Sequence, residues 1–99
     1  MLDKMKALWD MKKKMEELKR ELDAVTFEIE SHDKSVKIAM NGSQEVKEVK
    51  LHGDLSTLKA AHLETAVKDT FNRALKRSHD IAGDKMKSVT GLNIPGMFS

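Results

Sequence analysis

The hydrophobic period changes twice along this chain, and that pattern limits the folds open to it. Apolar residues first recur at Met1, Met5, Leu8, Met11, Met15, Leu18, Leu22 and Val25, a near-heptad rhythm that marks one stripe of a helix. Met, Leu, Lys and Glu dominate this stretch, with no glycine or proline, and predict a helix from Asp3 to Asp23. The period then falls to two. Val25-Thr26-Phe27-Glu28-Ile29-Glu30 and Val36-Lys37-Ile38-Ala39-Met40 alternate as half-buried strands do. Asn41-Gly42 follows directly, a strong short-range hairpin signal. A third strand, Gln44 to Leu51, carries Val46, Val49 and Leu51, and its parity breaks between the two valines. That break predicts a bulge near Lys47-Glu48. A strict two-residue loop would set Ile38 opposite Glu45, so a turn one residue longer is expected.

After His52-Gly53-Asp54 the helical period returns. Asp54 and Ser56 are the candidate caps, and a helix is expected from about Leu58 to Lys87, with Leu63, Val67, Thr70, Phe71, Ala74, Ser78 and Ile81 on one face. Gly83 is expected to split or kink it. Residues 1–90 read as a single domain, and residues 91–99, with two glycines and the only proline, as a flexible tail.

The order α-β-β-β-α predicts an α+β fold, a three-stranded antiparallel sheet covered on one face by helices. Helices of 21 and 30 residues span roughly 30 and 45 Å, whereas such a sheet is only about 15 Å wide with strands of about 20–25 Å. The helices must project beyond it. Of the 99 residues, 39% are apolar and 34% charged, which leaves little to bury, so a second copy is expected to supply part of the core, giving a homodimer.

Several function classes fall away. Without cysteine there is no disulfide framework, thiolate metal site or cysteine nucleophile. No apolar run approaches the ~20 residues of a membrane span. The charged opening, Met1 to Asp10, does not read as a signal peptide, and a soluble cytoplasmic protein is expected. No glycine-rich phosphate loop or nucleophile elbow occurs. His32, His52, His62 and His79 share no i,i+3 or i,i+4 spacing, and Glu16-Glu17 reads as solvated surface. Hence no enzyme, cofactor, metal site or small-molecule substrate is expected.

The charges are segregated. Net charge is +2 over residues 1–22, −3 over 23–67 and +3 over 68–87, so an anionic partner should meet the ends. Lys6, Lys13 and Arg20 recur at seven-residue intervals on a ridge roughly opposite the apolar stripe, with Trp9 beside them and Lys12 and Lys14 flanking. On the second helix Arg73, Lys76 and Lys87 fall within about 60° of one another, with Arg77 adjacent and Lys68 about 80° from Lys76. Lys6, Lys12, Lys13, Lys14, Arg20, Lys68, Arg73, Lys76 and Arg77 are therefore the candidate phosphate-binding residues, acting by counterion release along a duplex. Lysine-rich solvated helix faces are the competing explanation, and an acidic ridge of Asp3, Asp10 and Glu17 runs along the same first helix. Trp9 reads as a packing or interface residue sooner than a stacking one. The methionine stripe reads as an adaptable core or dimer seam. The alternative function is a protein-interaction module, in which that stripe and Leu92, Ile94, Met97 and Phe98 bind a chaperone, ribosome or regulator.

The chain resembles the YbaB/EbfC family of bacterial nucleoid-associated proteins. Four stretches carry the likeness in order: the Met/Lys-rich opening from Met1 to Leu8; Val36 to Val46 around Asn41-Gly42; Leu63-Glu64 through Asn72-Arg73-Ala74; and Lys85-Met86 followed by Val89 to Phe98. The resemblance implies a homodimer built around the strands, with helices projecting like tweezer arms. It implies binding of double-stranded DNA with little or modest sequence preference, in nucleoid organisation and transcription regulation. By position, the residues implicated are among Lys12, Lys13, Lys14, Arg73, Lys76 and Arg77. His32-Asp33-Lys34-Ser35 departs from the family's glycine-rich turn, so that loop is expected to be ordered differently. His52 to Ser56 also departs from the family's usual start to the segment after the third strand.

Overall fold

A computed structural model describes residues 2–54 and 56–90. The expected order holds: α1 (Leu2–Ala24), β1 (Thr26–Glu30), β2 (Val36–Asn41), β3 (Val46–Leu51) and α2 (Ala60–Thr90). The strands form one antiparallel sheet with β2 in the centre.

Register explains which face is buried. Ile29 and Val49 flank Ile38, Phe27 and Val46 flank Met40, and Leu51 lies opposite Val36. All are on one face because Lys47 is an extra residue, shifting the register between Ala39 and Met40. Without this bulge Val46 would point away from Val49 and Leu51. The other face is polar and carries the ion pairs Lys37–Glu28 at 3.3 Å and Lys50–Glu48 at 3.2 Å.

The β2–β3 loop is one residue longer than the minimal hairpin. Asn41 N–H donates to Glu45 O and Gln44 N–H to Asn41 O, leaving Gly42, Ser43 and Gln44 between the strands. Gln44, not glycine, takes the left-handed conformation, at φ 65°. Gly42 is required for a different reason. Its N–H is shared by Leu22 O (2.9 Å) and Val25 O (3.0 Å), and a Cβ there would meet Leu22 O at 3.0 Å. The Asn-Gly pair thus marks where the end of α1 presses on the hairpin.

α2 lies along β2. Near its start His62 reaches Asp33 in the β1–β2 turn, and at Ser78 its hydroxyl donates to Asn41 O (3.0 Å). Val36, Ile38, Met40 and Ala74 form the buried core, with Phe27, Ile29, Leu63, Ala66 and Leu75 packed around it. Beyond Ser78 the helix continues to Thr90, past the sheet. Gly83 does not split it, contrary to the sequence expectation, because Ile81, Ala82, Gly83, Lys85 and Met86 are half-buried and α1 packs against α2. Tertiary contact here outweighs the roughly 1 kcal/mol helix penalty of glycine. Neither candidate cap sits at the helix start. Asp54 instead organises the preceding turn, accepting from Ser56 N–H and hydroxyl.

α1 arrives at the sheet from the side on which α2 leaves, so both helices project beyond Asn41. Among the described side chains of α1, Leu18 is the buried apolar one. The radius of gyration is 18.2 Å and the long axis 67 Å, against about 13 Å for a compact chain of this length. Residues 91–99, expected as a tail, lie outside the described residues.

Candidate nucleic-acid interface

The nine candidate cations are all exposed: Lys6, Lys12, Lys13, Lys14 and Arg20 on α1, and Lys68, Arg73, Lys76 and Arg77 on α2. None makes an ion pair among the described residues. The lysines that are paired lie elsewhere: Lys37, Lys47 and Lys50 on the sheet, and Lys19 with Asp23 at 3.4 Å. The acidic ridge of Asp3, Asp10 and Glu17 runs along α1 without pairing to any of the nine. Lys12 and Lys13 gather about Trp9, with Nζ atoms 5.5 and 5.9 Å from the ring centroid. Arg73 is drawn aside. Its Nη1 donates to Glu30 O at 3.1 Å, so part of its guanidinium serves the sheet.

The end of α1 is tied to the hairpin by one buried side chain. Asn41 Nδ2 donates to Glu45 Oε1 (2.9 Å) and, at 3.4 Å, to Asp23 O at the end of α1; its Oδ1 accepts from the N–H groups of Ser43 and Glu45. Ser43 Oγ donates to Asp23 Oδ1, which lowers the Asp23 pKa, with Lys19 adding to the effect.

The opposite end of the sheet is tied differently. Asp33 Oδ1 accepts from Ser31 Oγ, Ser35 N–H and Ser35 Oγ, and its Oδ2 is 2.6 Å from His62 Nε2. The Ser35 donors above all, then His62 and Ser31, hold this carboxyl far below the usual range. Lys34 takes φ 65° in this turn, so a carboxylate with four donors replaces glycine as the organiser. Beside it lies a cavity of about 170 Å³ lined by His62, Asp69, Thr70 and Arg73 among others. Asp33 and His62 are 29 residues apart, and no local spacing in the sequence pairs them. Among the described residues no group of three or more histidines and carboxylates is placed to hold a metal ion, and no helix is long and apolar enough to cross a membrane.

Among the described residues ten large apolar side chains remain exposed. Five are on α1, including Leu8 (71%), Met11 and Met15; the others are Val46, Val49 and Leu51 on β3 and Val67 and Phe71 on α2. The β3 residues belong to the core face of the sheet, but α2 packs chiefly on β2 and β1.

A three-stranded sheet bearing two long helices, with nine of the helix cations exposed and without carboxylate partners among the described residues, defines a small α+β protein with basic helix faces. The sequence profile of the YbaB/EbfC DNA-binding family matches residues 1–93, and the chain belongs to that family. It is 31% identical over 96 residues to a nucleoid-associated protein of Clostridium kluyveri, covering 95% of this chain and 84% of the relative. It is 34% identical over 82 residues to one from Gloeothece citriformis, covering 82% and 72%. A crystal structure of an uncharacterized Helicobacter pylori protein, HP0035, shares the fold, with a TM-score of 0.66 at 20% identity over 87% of this chain and 99% of that one.

Proposed function

We propose that the protein acts as a homodimer that binds double-stranded DNA through the basic faces of α1 and α2, with little or modest sequence preference. Through that binding it organises the nucleoid in the cytoplasm and modulates transcription. The observation that carries this reading is the absence of any ion pair at the nine helix cations among the described residues, while three lysines of the sheet are paired. Ammonium and guanidinium groups without ion pairs displace condensed counterions when they meet phosphates, without first breaking a salt bridge. Neither helix offers an Arg/Asn/Gln set suited to base edges, which favours positioning on the backbone over base readout.

The uncovered strip of Val46, Val49 and Leu51, together with exposed Val67 and Phe71 on α2, supports a second copy. Its partly exposed side chains would gain roughly 1 kcal/mol each on burial. The exposed stripe of Leu8, Met11 and Met15 supports the second reading, a protein-interaction module.

Salt dependence separates the two. A gel-shift titration at two salt concentrations compares wild type with Lys12→Ala/Lys13→Ala/Lys14→Ala. DNA affinity should fall steeply with salt, and the triple variant should bind more weakly, its slope shallower by about 1 for each lost phosphate contact. No shift at low salt would favour the interaction module. Unchanged affinity in the variant would remove α1 from the interface.

A further inference from the structure

Trp9 stands among the cations of α1, and none of the described residues covers it: the side chain is 57% exposed. Nine residues, two and a half helical turns, separate it from buried Leu18, so the two project on opposite sides of the helix. Leu8, Met11 and Met15 fall within about 80° of Leu18, whereas Lys6, Lys13 and Arg20 fall within about 60° of Trp9. A seam along the apolar stripe therefore gives no reason for an indole at this position. Lys12 Nζ and Lys13 Nζ lie over the ring at 5.5 and 5.9 Å from its centroid, within cation–π range. The indole N–H, a donor only, makes no hydrogen bond with the described residues. Two ammonium groups and the ring's own N–H thus gather three donors at one site on a convex, solvent-facing helix.

We propose that Trp9, Lys12 and Lys13 form a single phosphate-gripping unit on duplex DNA, with the indole as its positioning residue. This rests on the DNA-binding reading above. The ring restrains two lysine side chains that would otherwise lose rotamer freedom on binding, and its N–H donates to a phosphodiester oxygen. The ammonium groups lie over the ring, where a stacked base would displace them. A phosphate approaching the indole edge leaves them in place, so the backbone of a duplex fits this unit and an unpaired base does not.

The test uses the full chain as wild type, Trp9→Phe and Trp9→Ala, with a labelled mixed-sequence duplex and its single strand, at two salt concentrations. Because alanine is a strong helix former, helicity should be retained, which circular dichroism checks. Trp9→Ala should bind the duplex about threefold to tenfold more weakly, with a shallower salt slope. Trp9→Phe, which keeps a ring but loses the N–H, should retain the slope and fall between the two in affinity. Indole emission of the wild type, whose only tryptophan is Trp9, should change on DNA addition. Equal affinity and slope for wild type and Trp9→Ala would overturn the proposal while leaving DNA binding intact. Dissociation of the oligomer in Trp9→Ala, or an effect confined to single-stranded DNA, would also overturn it. No binding by the wild type at low salt would overturn the DNA-binding reading and this unit with it.

Discussion

Replacing Gly42 with alanine tests the junction from which both helices project. Gly42 is buried and is not among the residues with positive φ, so the backbone conformation itself accepts an L side chain. Space does not. The added Cβ would stand 3.0 Å from Leu22 Cδ2, 3.0 Å from Leu22 O and 3.2 Å from Leu22 Cα. The methyl group can rotate away, but the two backbone atoms can move only if the end of α1 moves. That movement would also stretch the bonds from Gly42 N–H to Leu22 O and Val25 O. Overpacking of this kind costs about 1–3 kcal/mol, and a weakened hydrogen bond about 0.5–1.5 kcal/mol. The lower entropy of the unfolded alanine chain returns about 0.4–1 kcal/mol. The net loss is about 1–3 kcal/mol, or a fall in Tm of roughly 5–20 °C for a chain of this size. Thermal unfolding followed by circular dichroism measures it, at equal protein concentration so that any association is held constant. A Tm for Gly42→Ala at or above that of wild type would refute the steric argument. The neighbouring Gln44→Gly should move the other way, because it relieves a left-handed glutamine.

Asp33→Asn should destabilise the fold at neutral pH. The Asp33 carboxyl titrates below its unfolded value of about 3.9, so its stabilisation is complete above that pH and is lost as pH falls through the folded value. The Tm gap between wild type and variant should therefore narrow below about pH 4; a gap that stays constant on acidification would refute the assignment. Two buried hydroxyls on α2 should respond in opposite directions. Ser78→Ala removes a bond to Asn41 O and should cost about 0.5–1.5 kcal/mol, whereas Thr70→Val removes a buried hydroxyl without a partner and should stabilise by about 1 kcal/mol; denaturant unfolding reads both, and equal signs would count against the structure. Val49→Asp places a carboxylate in the uncovered strip of β3 and should shift sedimentation from dimer to monomer; a wild type that already sediments at 11.2 kDa would refute the proposed association.

The elements were legible because their periods differ. The stripe through Leu18 and Leu22, the alternation through Val36, Ile38 and Met40, and the parity break at Lys47 are local signals, and each has a counterpart in the structure. α2 begins at Ala60, two residues past the expected start near Leu58, because Asp54 satisfies a turn of its own before the helix begins. Gly83 was over-read because propensity cannot register the packing of a neighbouring helix. Gly42 was read correctly as a hairpin signal but for the wrong cause, since its neighbour Leu22 lies twenty residues away in the chain. The cations could be placed on helix faces from spacing alone, yet their lack of carboxylate partners, and the turning of Arg73 toward Glu30, depend on three-dimensional arrangement. The same holds for the Asp33–His62 contact.

Asn41 has a mechanical consequence. Its amide reaches the last turn of α1, its carbonyl receives Ser78 from α2, and its side chain closes the loop to Glu45. The two rods thus meet at one residue of the hairpin. Lysines along either rod can be gained, lost or shifted without altering this junction, while replacing the Asn41 side chain would loosen the end of α1 and leave the main-chain acceptor of Ser78 in place. Span and adhesiveness are governed by separate parts of the molecule.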